Sequence, residues 1–102
     1  MPTPDPQAAA DELERALTQL GFKGAMIHGL TNGRFHDEKA FWPIFERAQA
    51  LDVPIYFHPS VPAQPVIDTY YATYLQDVPG ILRAAWGFTV ETATPGVRLV
   101  LS

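Results

Sequence analysis

Three histidines carry most of the chemistry open to this chain: His28, His36 and His58. Imidazole both titrates near neutral pH and offers a lone pair to a divalent metal. His58 closes the run Val53-Pro-Ile-Tyr-Phe-His58 and is followed by Pro59, while His28 closes Gly24-Ala-Met-Ile-His28 and is followed by Gly29. Both runs read as short strands, which puts each histidine at a C-terminal strand end. Functional groups of parallel α/β folds gather at that edge, because the loops there surround a crevice. Functionally, His58 reads as a metal ligand or proton-transfer group; the structural alternative is a strand-end histidine holding one backbone hydrogen bond. His28, at the equivalent end of the preceding unit, would share a crevice with it in a substrate-facing or supporting role. His36 lies in the intervening loop and is expected to be solvated.

Other candidates are weaker. Arg34, within Thr31-Asn-Gly-Arg-Phe35, could clamp a substrate carboxylate through its two-pronged guanidinium, or could be an ordinary loop arginine. Glu91 stands in an apolar stretch and is expected to pair with an arginine such as Arg98 or to point outward. Tyr70, Tyr71 and Tyr74 share helical spacing and read as packing residues rather than a binding box. The chain has no cysteine, so thiol chemistry and thiolate-held metals are excluded. Phosphate-binding glycine loops and the Gly-x-Ser-x-Gly elbow are absent. A catalytic zinc takes about three protein ligands, and neither His-x-His nor His-Glu-x-x-His occurs.

The elements that must position these residues follow from periodicity and punctuation. Asp5 suits a helix N-cap and Pro6 the first helical position. Ala9, Leu13, Ala16, Leu17 and Leu20 then recur on one helical face, and Gly21 suits the left-handed residue that ends the helix. Residues 24–29 form a first strand and residues 29–37 a turn-rich loop. A second helix carries Phe41, Ile44, Phe45, Ala48 and Leu51, with Pro43 in its first turn. Residues 53–58 form a second strand. Its unbroken apolar character predicts a parallel strand covered on both faces, and it begins one βαβ length after the first. Helical patterns return from Pro65 and again over residues 78–91, and Thr94-Pro-Gly96 is expected to interrupt the latter. The order is α/β with two parallel strands and flanking helices. Two strands alone cover their edges and faces poorly, so the design calls for further strands.

At 102 residues and 47% hydrophobic content, the chain reads as one globular domain spanning 1–102. A net charge of −4 and scattered single Lys and Arg residues argue against a nucleic-acid surface. No run approaches membrane-spanning length and the N-terminus has no signal-peptide pattern, so a cytoplasmic, membrane-free protein is expected.

The motifs in order carry a resemblance. Gly21-Phe-Lys-Gly-Ala-Met-Ile-His-Gly29, Thr31-Asn-Gly-Arg-Phe35 and Phe41-Trp-Pro-Ile-Phe-Glu46 lead to Leu51-Asp-Val-Pro-Ile-Tyr-Phe-His-Pro59 and Trp86-Gly-Phe-Thr-Val-Glu-Thr92. The series resembles the amidohydrolase-related decarboxylases, such as those acting on 5-carboxyvanillate, γ-resorcylate and aminocarboxymuconate semialdehyde. The likeness runs from about Asp5 to Leu101. It implies a (β/α)8 barrel, here a partial one, with zinc or manganese at its C-terminal face and a small aromatic carboxylic acid as substrate. His58 matches the family's metal-ligand histidine on the fifth strand; His28 and Arg34 fall near the same face without assigned roles. The family's other ligands, an acidic-x-His pair and an aspartate, and its catalytic histidine in Gly-His-x-Gly-Glu have no counterpart in this sequence. The resemblance therefore implies a fragment of a metal-dependent decarboxylase, holding no metal stably and inactive alone, that self-associates as a homo-oligomer. The alternative is a small self-associating binding or assembly module that keeps the fold piece without chemistry.

Overall fold

The structure is a computed structural model that describes residues 1–84 and 86–102. Helix α1 spans Pro6–Leu20. The Asp5 carboxylate accepts from the Ala8 amide at 3.1 Å and Pro6 occupies the first turn. Gly21 closes the helix at φ 74°, a left-handed conformation that a Cβ would disfavour. Strand β1 (Ala25–His28) follows, then helix α2 (Trp42–Ala50), entered through a 3-10 turn at Lys39–Phe41, and strand β2 (Ile55–His58). The expected strands are present, one to two residues shorter at their ends.

β1 and β2 pair in parallel, with Ala25 opposite Ile55, Met26 opposite Tyr56, Ile27 opposite Phe57 and His28 opposite His58. Strand side chains alternate between faces. The face carrying Ile27 and Ile55 packs under α1 and α2, where Ala9, Ile27 and Ile44 form the core with Phe45 against them. Arg47 on α2 fastens the two helices from outside, with ion pairs to Glu14 at 2.6 Å and Asp11 at 3.1 Å. The opposite face is bare: Met26 is 49% and Tyr56 60% exposed. The expectation of strands covered on both faces is thus met on one face only. The uninterrupted apolar sequence suits two-sided burial, and this chain supplies one cover.

Beyond β2 the chain winds through a short helix α3 (Gln64–Val66), a wide π-type turn at Ile67–Tyr71 and a 3-10 turn at Pro79–Leu82. Helix α4 then runs from Trp86 to Leu101. The helix expected over 78–91 is therefore a 3-10 turn followed by the first turns of α4, and Ala85 between them lies outside the described residues. The expected interruption at Thr94-Pro-Gly96 does not occur, since α4 continues through Pro95. A proline in a helix interior removes one backbone hydrogen bond. Here Pro95 is buried with Gly87 on the inner face of α4, and Arg98 one turn further forms a two-pronged pair with Asp37 at 2.8 and 3.1 Å. Tertiary packing outweighs the local penalty.

Candidate functional site

The two strand-end histidines meet. As register partners on parallel strands they project from the same, bare face, and their ring centroids lie 4.7 Å apart. The strands end there because Gly29 turns the chain at φ 30° after β1, and Pro59 cannot donate to a ladder after β2. The close approach of Gly29 to Ser60, where a Cβ would meet the serine side chain at 2.5 Å, keeps both strand ends together.

His58 is half-buried and held. Its Nδ1 lies 2.7 Å from the Pro59 carbonyl oxygen. A carbonyl only accepts, so Nδ1 carries the proton and Nε2 of the neutral ring keeps its lone pair. The Phe88 ring of α4 stands 6.2 Å away, edge to face, and flanks the imidazole. This hydrogen bond is the one expected of a purely structural strand-end histidine. It is also the outer contact that orients a metal-ligating histidine and sets its tautomer. His28 is exposed beside it and borders a shallow cleft of about 300 Å³ with Met26, Leu30 and Thr31.

Arg34 is engaged elsewhere. Its guanidinium pairs with Glu38, Nε to Oε2 at 2.8 Å, and sits 5.3 Å above the Phe41 ring. The loop that carries it folds as a tight hairpin: Thr31 and Arg34 exchange backbone hydrogen bonds at 2.9–3.0 Å. Asn32 and Gly33 at its tip take φ values of 51° and 74°, the Asn-Gly signature of a type I′ turn. Arg98 pairs with Asp37 rather than with Glu91 and lies 4.0 Å over the Phe35 ring. Burial pushes the Glu91 carboxyl above its ordinary value. Tyr71 is buried as expected of a packing residue, whereas Tyr70 and Tyr74 are exposed. With Trp86, Ile81 and Val90 the three tyrosines line a concavity of about 430 Å³, and neither strand-end histidine borders it.

His36 corrects an expectation. It is not solvated but 2% exposed. Phe41 packs edge-on to its ring at 5.2 Å and Phe57 lies at 6.3 Å. Its Nε2 is 2.8 Å from Thr31 Oγ1, and burial lowers its pKa from the ordinary imidazole value. A loop position between Phe35 and Asp37 carried no sequence signal for this, because the covering rings come from Phe41 and from the β2 residue Phe57.

His58 and His28 suit a divalent metal in donor type, and His58 in tautomer. Among the described residues, however, no group of three or more His, Asp or Glu side chains comes together as a metal shell. The chain fits a share of such a site, not the whole of it. No helix among the described residues is long and apolar enough to cross a membrane.

Taken together, the chain is an α/β unit whose parallel strands present two histidines at their carboxyl edge, on a face left open at Met26 and Tyr56. It belongs to the amidohydrolase family, whose Amidohydrolase model matches residues 1–102. It is 36% identical to the gamma-resorcylate decarboxylase of Polaromonas sp., over 98% of this chain and 31% of that protein. A solved Staphylococcus aureus protein superposes with a TM-score of 0.92 at 35% identity, covering 99% of this chain and 34% of that one. The 5-carboxyvanillate decarboxylase of Novosphingobium aromaticivorans superposes with a TM-score of 0.85 at 37% identity, over 98% of this chain and 27% of that one. That enzyme was solved with manganese and 4-hydroxy-3-methoxy-5-nitrobenzoic acid. The chain spans about a third of the length of the relatives it matches.

Proposed function

We propose that this chain is one wall of a metal-dependent aromatic-acid decarboxylase, a segment of a (β/α)8 barrel folding as one unit over 1–102, and that it is not catalytically competent by itself. The observation that carries the reading is the His28–His58 pair, in register at the carboxyl edge of parallel strands, on the bare face. A barrel interior would lie on that face, and the exposure of Met26 and Tyr56 there is what an interior position looks like when its neighbouring strands are elsewhere.

In this reading His58 is the metal ligand, offering Nε2 while the Pro59 carbonyl holds Nδ1–H. His28 lines the same crevice as a substrate-facing or supporting group. Arg34 stays near the strand-end loop, and its pairing with Glu38 favours a role in holding that loop over direct capture of a carboxylate. A divalent zinc or manganese ion would supply charge stabilisation for a bound hydroxylated aromatic acid. The manganese and the aromatic acid bound in the Novosphingobium enzyme support that choice of cofactor and substrate class. This chain provides one or two ligands where about three are needed, which is the physical ground for inactivity in isolation. A cytoplasmic setting fits the absence of cysteine.

A second reading, a self-associating module without chemistry, draws on the same bare face, since exposed apolar strands favour association. The inactivity of the isolated chain is tested by carbon dioxide release from 2,6-dihydroxybenzoate by the purified chain with added manganese. The expected outcome is no release above the enzyme-free blank. Sustained release that disappears in His58→Ala would overturn the inactivity of the isolated chain.

A further inference from the structure

His36 is built into the fold in a way that neither metal binding nor substrate binding uses. His36 Nε2 lies 2.8 Å from Thr31 Oγ1, which in turn lies 2.8 Å from Thr3 Oγ1. Because Nδ1 faces no acceptor among the described residues, the neutral ring is best satisfied with its proton on Nε2, donated to the Thr31 hydroxyl. The lone pair of the neutral ring is then at Nδ1. That atom is buried and has no hydrogen-bond partner among the described residues. Protonation would place an N–H donor and a positive charge there, between Phe41 and Phe57, with no acceptor to receive it.

The charged groups nearby do not offset this. Asp37, the next residue, favours the protonated ring through its charge but is outweighed by burial, and both its oxygens are taken by Arg98 of α4. On the loop and the 3-10 turn, Arg34 is paired with Glu38 and lies over the Phe41 ring. Among the described residues, β2 brings the uncharged Phe57 ring to His36, and the N-terminal segment brings the Thr3 hydroxyl to Thr31.

We infer that His36 is a pH-sensitive lock on the strand-end loop 29–38: neutral, it ties the loop to the N-terminal segment and to β2; protonated, it must leave its pocket and release the loop. The sign follows from where the proton binds better. The exposed ring of the released loop titrates at the ordinary imidazole value and the locked ring below it. The locked state is therefore fully favoured above that ordinary value and weakens as pH falls through it. Release would loosen the turn that carries Thr31 and Arg34, beside the strand end of His28.

Hydrogen exchange, expressed as protection factors, tests this on the intact chain. The Thr31 and Arg34 amides, which bond to each other's carbonyls, should lose protection between about pH 7.5 and about pH 5.5, by up to about tenfold, the most that one proton on an ordinary imidazole can supply over that range. The amides of α1 and α2 should keep theirs. His36→Phe, which fills the pocket and cannot titrate, should abolish the pH dependence. Loop protection that is independent of pH, or lost together with that of α1 and α2, would overturn the lock. Should His36→Phe not fold, the ring resonances of His36 in the unaltered chain decide: they should titrate below the ordinary imidazole value, and titration at that value would overturn it.

Discussion

The three histidines differ in how their surroundings restrict them. The strand-end positions of His58 and His28 were legible one by one, because each ends a short apolar run just before a residue that stops a strand, Pro59 or Gly29. That they meet was not, since it depends on the register of the two strands. The burial of His36 was not legible, since it depends on Phe57 arriving from the far side of a crossover. Glu91 was half legible. Its apolar setting was visible, but the expected partner Arg98 is drawn instead to Asp37, a contact spanning 61 residues of sequence. With its carboxyl pushed up by burial, Glu91 binds a proton better in the folded chain than in the unfolded one. The folded state is thus favoured when Glu91 is protonated, and this benefit fades as pH rises from the ordinary glutamate value to the raised one. Glu91→Gln should accordingly raise the melting temperature at neutral pH and lose that advantage below the ordinary glutamate value. A difference that did not change with pH would assign the effect to packing instead of charge.

Among the elements, α1, α2 and the two strands follow directly from capping, proline placement and spacing. Asp5, Pro6 and Gly21 each take the expected positions. What the periodicity could not reveal is which sheet face would be covered, since apolar residues on both faces look alike in sequence. The two faces therefore make opposite predictions. Ile44, fully buried in the core, should cost about 2–5 kcal/mol when replaced by Ala. Tyr56, on the bare face, should cost less than about 0.5 kcal/mol when replaced by Ser. Denaturant unfolding of both variants gives the comparison, and an equal loss at the two sites would mean that the bare face is covered in solution. The continuity of α4 through Pro95 was beyond sequence reasoning because helix-breaking propensity is a local quantity. The burial of Pro95 and the Arg98–Asp37 pair one turn on are tertiary.

For the whole molecule, membership in the amidohydrolase family and the incomplete site belong together. A chain spanning about a third of its relatives carries two parallel strands, one covered face and two histidines at the strand ends. If the bare face seeks cover, size-exclusion chromatography with light scattering should show association that grows with concentration; a monomer at all concentrations would remove the proposed homo-oligomer. Calorimetric titration of zinc into the chain and into His58→Ala tests the proposal that His58 contributes one ligand of a metal site this chain cannot complete. Zinc should bind the unaltered chain weakly, and the variant more weakly by a further factor of about ten or more. Tight stoichiometric binding, or binding indifferent to the loss of His58, would contradict it.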